Sequence, residues 1–239
     1  YKRQVRPNRA ETTVYAYQKI IDNHLDPLLG AVPLSKLSPK QIQEYYQTMT
    51  RTEGLSSNTI RRHHDLLSAA LRMAVRQDML RVNPMERVEP PRPKLHEASY
   101  YTQENLKVLY QLVEGHWLEM VVKVTAGLGL RREEICGLRW SSVDFARRRV
   151  HIKEARTAAG ASIVQKETKN RTSNRVLHLG DELCRLLRQE RSAQVQRSLA
   201  RGDGWSEDNF VAVDKLGKPY SPNAVSLAFT RFIRSHGMP

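Results

Sequence analysis

Aromatic residues make up only 7% of this 239-residue chain, and acidic residues are outnumbered, 25 Asp and Glu against 39 Lys and Arg. Few aromatics, and no glycine–aromatic strand motif, argue against an RNA-binding surface that works by base stacking. No stretch is long and apolar enough to span a bilayer, and no signal-peptide pattern stands at the start, so a cytoplasmic setting without membrane contact is expected. There are two cysteines, Cys136 and Cys184, each on the apolar face of an expected helix. Two suffice for one disulfide, but buried thiols in a reducing compartment are the preferred reading. Neither has another soft ligand at metal spacing, so no metal and no cofactor is expected.

What the chain has in excess is positive charge, a net +14 with a pI near 10.0. The excess is spread along the chain: residues 1–93 carry 15 Lys and Arg against 9 acids, and the remainder 24 against 16. A polyanion contacted over most of the length explains this more simply than one basic tail would.

The apolar spacing divides the chain. Residues 1–10 are polar and basic and read as a linker or arm. Residues 11–89 carry three helical patterns. The first runs from Glu11 to about Leu25, with apolar residues every three or four positions. The second opens at Ser38-Pro39, an N-cap followed by proline at the first helical position, and reaches about Thr52. The third, from Ser57 to Leu80, has an inner stripe of Ile60, Leu67, Leu71, Ala74 and Val75, with Arg61, Arg72 and Arg76 on another face. Residues 90–99, with Pro90, Pro91 and Pro93, read as an interdomain linker. From 100 to 239 the pattern is mixed. Helices open at Thr102, at Trp117 and at Arg131. Three short strands near 149–153, 162–165 and 174–179 form a small antiparallel sheet, and a helix runs from Asp181 to about Arg201. A strand at Phe210–Val213 and a helix from Ser221 to Ser235 follow.

The most informative run is Gly129-Leu130-Arg131-Arg132-Glu133-Glu134-Ile135-Cys136-Gly137-Leu138-Arg139-Trp140. It sets an arginine at the start of an amphipathic helix and a carboxylate one turn later. A guanidinium held by a local glutamate is preset to grip a phosphate through two parallel hydrogen bonds. The run resembles the first catalytic block of the tyrosine recombinases, the family of phage and transposon integrases. It departs from the commonest form in carrying Glu133 where a small residue is usual. Other stretches are similar too: Ser38-Pro39-Lys40-Gln41-Ile42-Gln43, Leu55-Ser56-Ser57-Asn58-Thr59-Ile60, Asn83-Pro84, and Lys169-Asn170-Arg171-Thr172-Ser173-Asn174-Arg175-Val176-Leu177-His178-Leu179.

The resemblance covers nearly the whole chain. It implies a mainly α protein with a small antiparallel β-sheet: a helical core-binding domain and a mixed α+β catalytic domain, closing on DNA as a clamp. It implies cutting and rejoining of duplex DNA through a 3′-phosphotyrosyl link. Arg131 would neutralise the charged transition state, Glu134 would fix the guanidinium, and a hairpin lysine would protonate the leaving 5′-oxygen. Register against Ser173 and Arg175 favours Lys169 for that lysine, with Lys166 as competitor. Lys40, Asn58, Thr59, Arg61, Arg62, Arg72, Arg76, Arg171 and Arg175 are the expected DNA contacts. The implied partners are duplex DNA at attachment or element-end sites, a homotetramer of the full-length protein on DNA, and an accessory DNA-bending or excision factor in a bacterial cytoplasm. The family's His-x-x-Arg block and nucleophilic tyrosine are expected beyond Pro239, which would leave this catalytic domain incomplete and unable to cleave. His236 belongs to the turn ahead of that block, and Tyr220 is expected to pack beside Pro219. A non-catalytic DNA-binding regulator on the same scaffold is the alternative.

Overall fold

The computed structural model describes residues 9–95, 100–160, 162–167 and 174–239, with only the backbone given for 166 and 167. Most of the expected arm, residues 96–99 of the expected linker, and Lys169 and Arg171 lie outside the described residues. The chain divides into two compact units, one within Tyr1–Ala98 and one within Ser99–Pro239.

The first unit is helical. Helix α1 (Glu11–Ile20) runs into a π-helical turn (Ile21–Leu25) and then α2 (Asp26–Leu29). The helical path thus passes the expected end near Leu25. Pro27 sits in the first turn of α2, directly after the π turn, so the bond it cannot donate falls at the irregularity. Helix α3 (Pro39–Arg51) starts as its sequence indicates: the Gln41 N–H donates to Ser38 Oγ, and the Ser38 N–H donates to Gln41 Oε1 at 2.9 Å. Helix α4 (Ser57–Arg76) stops short of Leu80, and the chain turns through Asp78 at positive φ.

The inner face of α4 differs from the expected stripe. Ile60, Leu71 and Ala74 are buried, but Leu67 and Val75 are only half-buried, and His63 and Leu66 complete the core. A histidine is tolerated there because it is satisfied. Its Nδ1 lies 2.7 Å from the Tyr45 hydroxyl, and its ring stacks on His24 with centroids 5.0 Å apart. One residue on, Tyr46 and His64 repeat the pairing at 2.9 Å. Two adjacent tyrosines of α3 therefore fix the register of two adjacent histidines of α4.

In the second unit, α5 (Gln103–Leu112) is capped by Thr102 with Asn105. Helix α6 (Glu119–Leu128) begins after Trp117, which is exposed and lays its ring against Tyr220 at 4.6 Å. A short α7 (Arg132–Gly137) follows, and α8 (Asp181–Ala200) and α9 (Pro222–Ser235) complete the helices. The buried core gathers Leu109, Val121, Ile135, Trp140, Val150, Ile152, Leu179 and Leu187. Trp140 donates through Nε1 to Gln194 Oε1 at 2.9 Å, and Gln194 donates to the Val211 carbonyl at 2.8 Å, so this buried polar pair is satisfied. Cys136 and Cys184 are buried free thiols.

The strands form two antiparallel sheets where one was expected. Strands β1 (Val143–Asp144), β2 (Arg149–Ile152) and β5 (Arg175–His178) make one, in the order β1-β2-β5. Residues 162–165 join neither flanking strand. As part of β4 (Ser162–Glu167) they pair with β3 (Glu154–Ala159), a strand the sequence hides. Glu154-Ala155-Arg156-Thr157-Ala158-Ala159 is rich in alanine and shows no alternation, so nothing in its composition favours a strand. Its hairpin closes through Gly160 at φ 67°. The expected strand at Phe210–Val213 is reduced to isolated bridges, Arg139 with Phe210 and Val213 with Pro219. Its apolar character serves burial of Val211 and Ala212 instead. Among the described residues no helix is long and apolar enough to cross a membrane.

Burial, with His24 nearby, lowers the His63 pKa from 6.5 to about 4, so the fold holds this imidazole neutral. An unfolded chain takes up the proton at higher pH. The stabilisation is therefore complete above pH 6.5 and lost as pH falls through 4. Acid titration of the first unit, followed by circular dichroism, should show destabilisation across that window. A Tyr45→Phe variant should cost about 1–2 kcal/mol at neutral pH by removing the partner of His63.

Candidate active site

The site begins where α6 ends. Gly129 takes the left-handed conformation at φ 61°, which a side chain would strain, and turns the chain so that Leu130 is buried. Arg131 becomes the N-cap of α7. Glu134, one turn along, accepts from the Arg131 backbone N–H at 2.8 Å through Oε2 and from Arg131 Nη1 at 3.1 Å through Oε1. Arginine has no acceptor to offer in return, so only one half of a capping box is made.

A second arginine arrives from a distant part of the chain. Arg175 opens β5 opposite Ile152 of β2. Its two nitrogens reach the two Glu134 oxygens in a fork, Nη1 to Oε1 at 2.9 Å and Nη2 to Oε2 at 2.8 Å. Nη2 also lies 3.5 Å from the Gly129 carbonyl, tying β5 to the turn that aims Arg131. The three side chains differ sharply in exposure. Glu134 is 3% exposed and Arg175 26%, whereas Arg131 is 69% exposed. The carboxylate and the second arginine are thus committed to one another, and the first guanidinium keeps most of its surface open. Burial alone would push the Glu134 carboxyl up. The Arg175 fork, the Arg131 N–H, the Arg175 charge and the Arg131 guanidinium bond outweigh it and hold the pKa down to about 2.

Helix α7 is pinned from behind. A Cβ on Gly137 would lie 2.9 Å from the Ala155 Cα and the Arg156 backbone nitrogen, so only glycine lets α7 sit this close to β3. Beside it, Arg139 and Arg156 flank the Phe210 ring at 4.3 and 4.8 Å, and Arg139 also reaches Glu154, Gln165 and the Asp208 carbonyl. Arg132 donates to Ser226 Oγ on α9 at 2.9 Å. Cys136, on the inner face of α7, has its thiol raised to about 11 by burial and is not a nucleophile in this state.

The remaining expected site residues distribute as follows. Lys169 and Arg171 lie outside the described residues. Lys166 is in β4, paired in register with Ala155. In the first unit Arg62, Arg72 and Arg76 are exposed along one stripe of α4, with Asp65 and Ala69 between them. Lys40 is exposed on the first turn of α3, 4.0 Å from Glu44. Thr59 is half-buried with its hydroxyl 2.9 Å from Ser56 Oγ. Asn58 and Arg61 have partners of another kind: Asn58 bonds the backbone of Lys94, and Arg61 donates to the Pro91 carbonyl at 3.0 Å. Arg175 was expected on DNA, and the structure pairs it with Glu134. Its position two residues past Ser173 gave no sign of that partner, because the contact depends on how β5 registers against β2. Tyr220 packs on Trp117, and its carbonyl accepts from Arg156 at 3.1 Å. His236 caps the end of α9.

Residues 99–238 match the model of the phage integrase family, and residues 1–50 match a phage integrase N-terminal SAM-like domain. The chain belongs to the phage integrase family. Among similar proteins, a tyrosine recombinase XerC-like protein of Caldanaerobacter subterraneus subsp. tengcongensis is 23% identical over 98% of this chain and 65% of its own length. An integrase of Streptomyces ambofaciens is 26% identical over 95% of this chain and 59% of its own. The chain thus spans about three-fifths of the length of these relatives. In structure it resembles the Tn1549 transposon integrase in complex with a circular intermediate DNA, with TM-score 0.76 and 20% identity, over 97% of this chain and 75% of that one. It also resembles a lambda integrase dimer bound to a COC′ core site, with TM-score 0.72 and 19% identity, over 100% and 79%. These likenesses establish an integrase fold.

A carboxylate whose folded pKa is depressed contributes stability that is full above its unfolded value and vanishes as pH falls through the folded one. For Glu134 that window runs from about 4.5 down to about 2. Glu134→Gln should therefore destabilise this integrase unit by about 2–3 kcal/mol at neutral pH, a difference that fades over the same window. Urea unfolding at pH 7 and pH 3 checks both halves of the statement.

Proposed function

We propose that this chain holds duplex DNA and supplies part of the catalytic centre of a site-specific recombinase, an enzyme that cuts and rejoins duplexes to integrate or excise a mobile element. The observation that carries the reading is the pairing of a buried Glu134, ionised at neutral pH, with an Arg131 guanidinium that stays open. Such a cation is aimed but not consumed.

In the proposed reaction a tyrosine hydroxyl attacks the phosphodiester. The bond from phosphorus to the 5′-oxygen breaks as the bond to the tyrosyl oxygen forms, and the 3′-phosphotyrosyl link conserves the bond energy for rejoining. The tyrosine loses a proton and the 5′-oxygen gains one, from Lys169 or from Lys166. Negative charge gathers on the non-bridging oxygens, where Arg131 donates two hydrogen bonds without having to reorganise. Glu134 and Arg175 hold that guanidinium in place. The stripe of Arg62, Arg72 and Arg76 on α4, with Lys40 on α3, contacts phosphates and positions the duplex. Net charge of +14, spread over both units, supports the same partner. Attachment or element-end sequences as the target, assembly of four protomers, an accessory bending factor and a place in the bacterial cytoplasm belong to this proposal.

Binding of the chain to duplex DNA should weaken steeply with salt, because each neutralised phosphate releases a counterion. Replacing Arg62, Arg72 and Arg76 by alanine should reduce the slope of log affinity against log salt by about one unit per arginine. Affinity that is flat between low and moderate salt would remove the DNA reading altogether. In a cleavage-competent form of the protein, Arg131→Ala should slow formation of the covalent protein–DNA adduct by about a thousandfold while affinity changes little. Undiminished adduct formation would take Arg131 out of the reaction.

A further inference from the structure

The proline-rich segment near the end of the first unit is fastened to the start of α4. Asn58, in the first turn of that helix, makes two hydrogen bonds with a single residue of the segment: its Nδ2 donates to the Lys94 carbonyl at 2.8 Å, and the Lys94 N–H donates to its Oδ1 at 3.1 Å. This is the pattern by which one strand residue pairs with another, made here by a side chain. One helical turn on, the half-buried Arg61 donates through Nη1 to the Pro91 carbonyl at 3.0 Å. Between them stand Arg92 and Pro93. Pro90, Pro91 and Pro93 lack N–H groups and restrict their own φ, so this stretch loses little conformational entropy on being held, and its free carbonyls are what a guanidinium and an amide can grip.

We propose that Asn58 and Arg61 are positioning residues that anchor the linker, and that they are not DNA contacts. The tether to the second unit then begins after Lys94. Releasing Pro91 to Lys94 would lengthen it by four residues, about 13 Å when extended. Two units engaging one duplex act as a bivalent binder, and the effective concentration of the second falls as its tether lengthens. Anchoring would raise joint affinity without touching a phosphate. Arg62, next in sequence and exposed, lacks such a backbone partner among the described residues and remains free for the DNA. The proposal rests on the DNA-binding reading for its consequence, but the anchor itself is independent of DNA.

Trypsin separates the two. Arg92 precedes a proline and is resistant, so Lys94–Leu95 is the susceptible bond of the segment from Glu89 to Leu95. In the full chain without DNA, cleavage there should be slow, and Asn58→Ala should speed it about tenfold, since proteolysis follows the population of the released state. Equal rates in the two proteins would overturn the anchor. Duplex binding across a salt series forms the second arm. Asn58→Ala and Arg61→Ala should each weaken binding about threefold to tenfold with the salt slope unchanged, because no phosphate contact is lost. A slope reduced by about one unit in Arg61→Ala, as expected for Arg62→Ala, would return Arg61 to the DNA surface and refute its assignment. If the unaltered chain fails to bind duplex at all, the recombinase reading falls, and with it the affinity role given to the anchor.

Discussion

The second unit depends on a buried carboxylate that stays ionised at neutral pH. Glu134 is enclosed on α7, and an ionised carboxyl placed there without partners would cost several kcal/mol. Four hydrogen bonds remove that cost: one from the Arg131 backbone, one from its guanidinium and two from Arg175. Because the contributing groups come from a helix cap and from a strand 41 residues further on, the same carboxylate joins two elements that local sequence cannot join. The local charge follows from it. Two cations and one anion leave one positive charge, and that charge sits on the exposed partner.

The division of labour between the two arginines is set by their backbones. Arg175 approaches with its fork in line with both carboxylate oxygens, the geometry that suits a planar guanidinium best, so it is held tightly. Arg131 stands at an N-cap, where its own N–H already takes one oxygen of Glu134 and its side chain can reach the other with a single nitrogen. It is tethered at one corner and exposed at the others. Gly129 and Gly137 serve this arrangement at either end of α7. The first lets the chain reverse with a left-handed residue, and the second lets α7 settle against the backbone of β3.

Features that depend on a few neighbouring residues were legible in the sequence. Ser38-Pro39 announced α3, Thr102 announced α5, and the run from Gly129 to Trp140 located Arg131 and Glu134 one turn apart, because caps and turns are decided within four residues. The helical and strand patterns followed from apolar period, and the overall class was what the family resemblance implied. What stayed hidden was decided at long range. Strand β3 has an alanine-rich sequence with no preference for a strand and exists because β4 and α7 lie beside it. His63 was absent from the expected inner stripe of α4, because its burial depends on Tyr45 and His24 around it. Arg175 looked like one more basic residue for a polyanion, and only the register of β5 on β2 turns it toward Glu134. Asn58 and Arg61 were expected on DNA from charge and from their position at a helix start, and their bonds to Lys94 and Pro91 show that α4 also reaches a passing backbone from there.

A basic residue read from sequence is thus ambiguous between two uses, and burial of its partner separates them. Where the partner is a buried carboxylate or a backbone carbonyl, as for Arg175 and Arg61, the cation organises the protein. Where the side chain stands clear, as for Arg62, Arg72, Arg76 and most of Arg131, its field is available to a ligand. A net charge of +14 overstates the surface that can hold a polyanion, since many guanidiniums are committed internally. Arg139 shows how complete that commitment can be, with Glu154, Gln165, the Asp208 carbonyl and the Phe210 ring all around it. Among the exposed cations, the α4 stripe lies next to Arg61 and Arg131 lies next to Arg175, each an internally bonded arginine that holds the backbone near it. The ordering of the committed charges is therefore what makes the free ones directional.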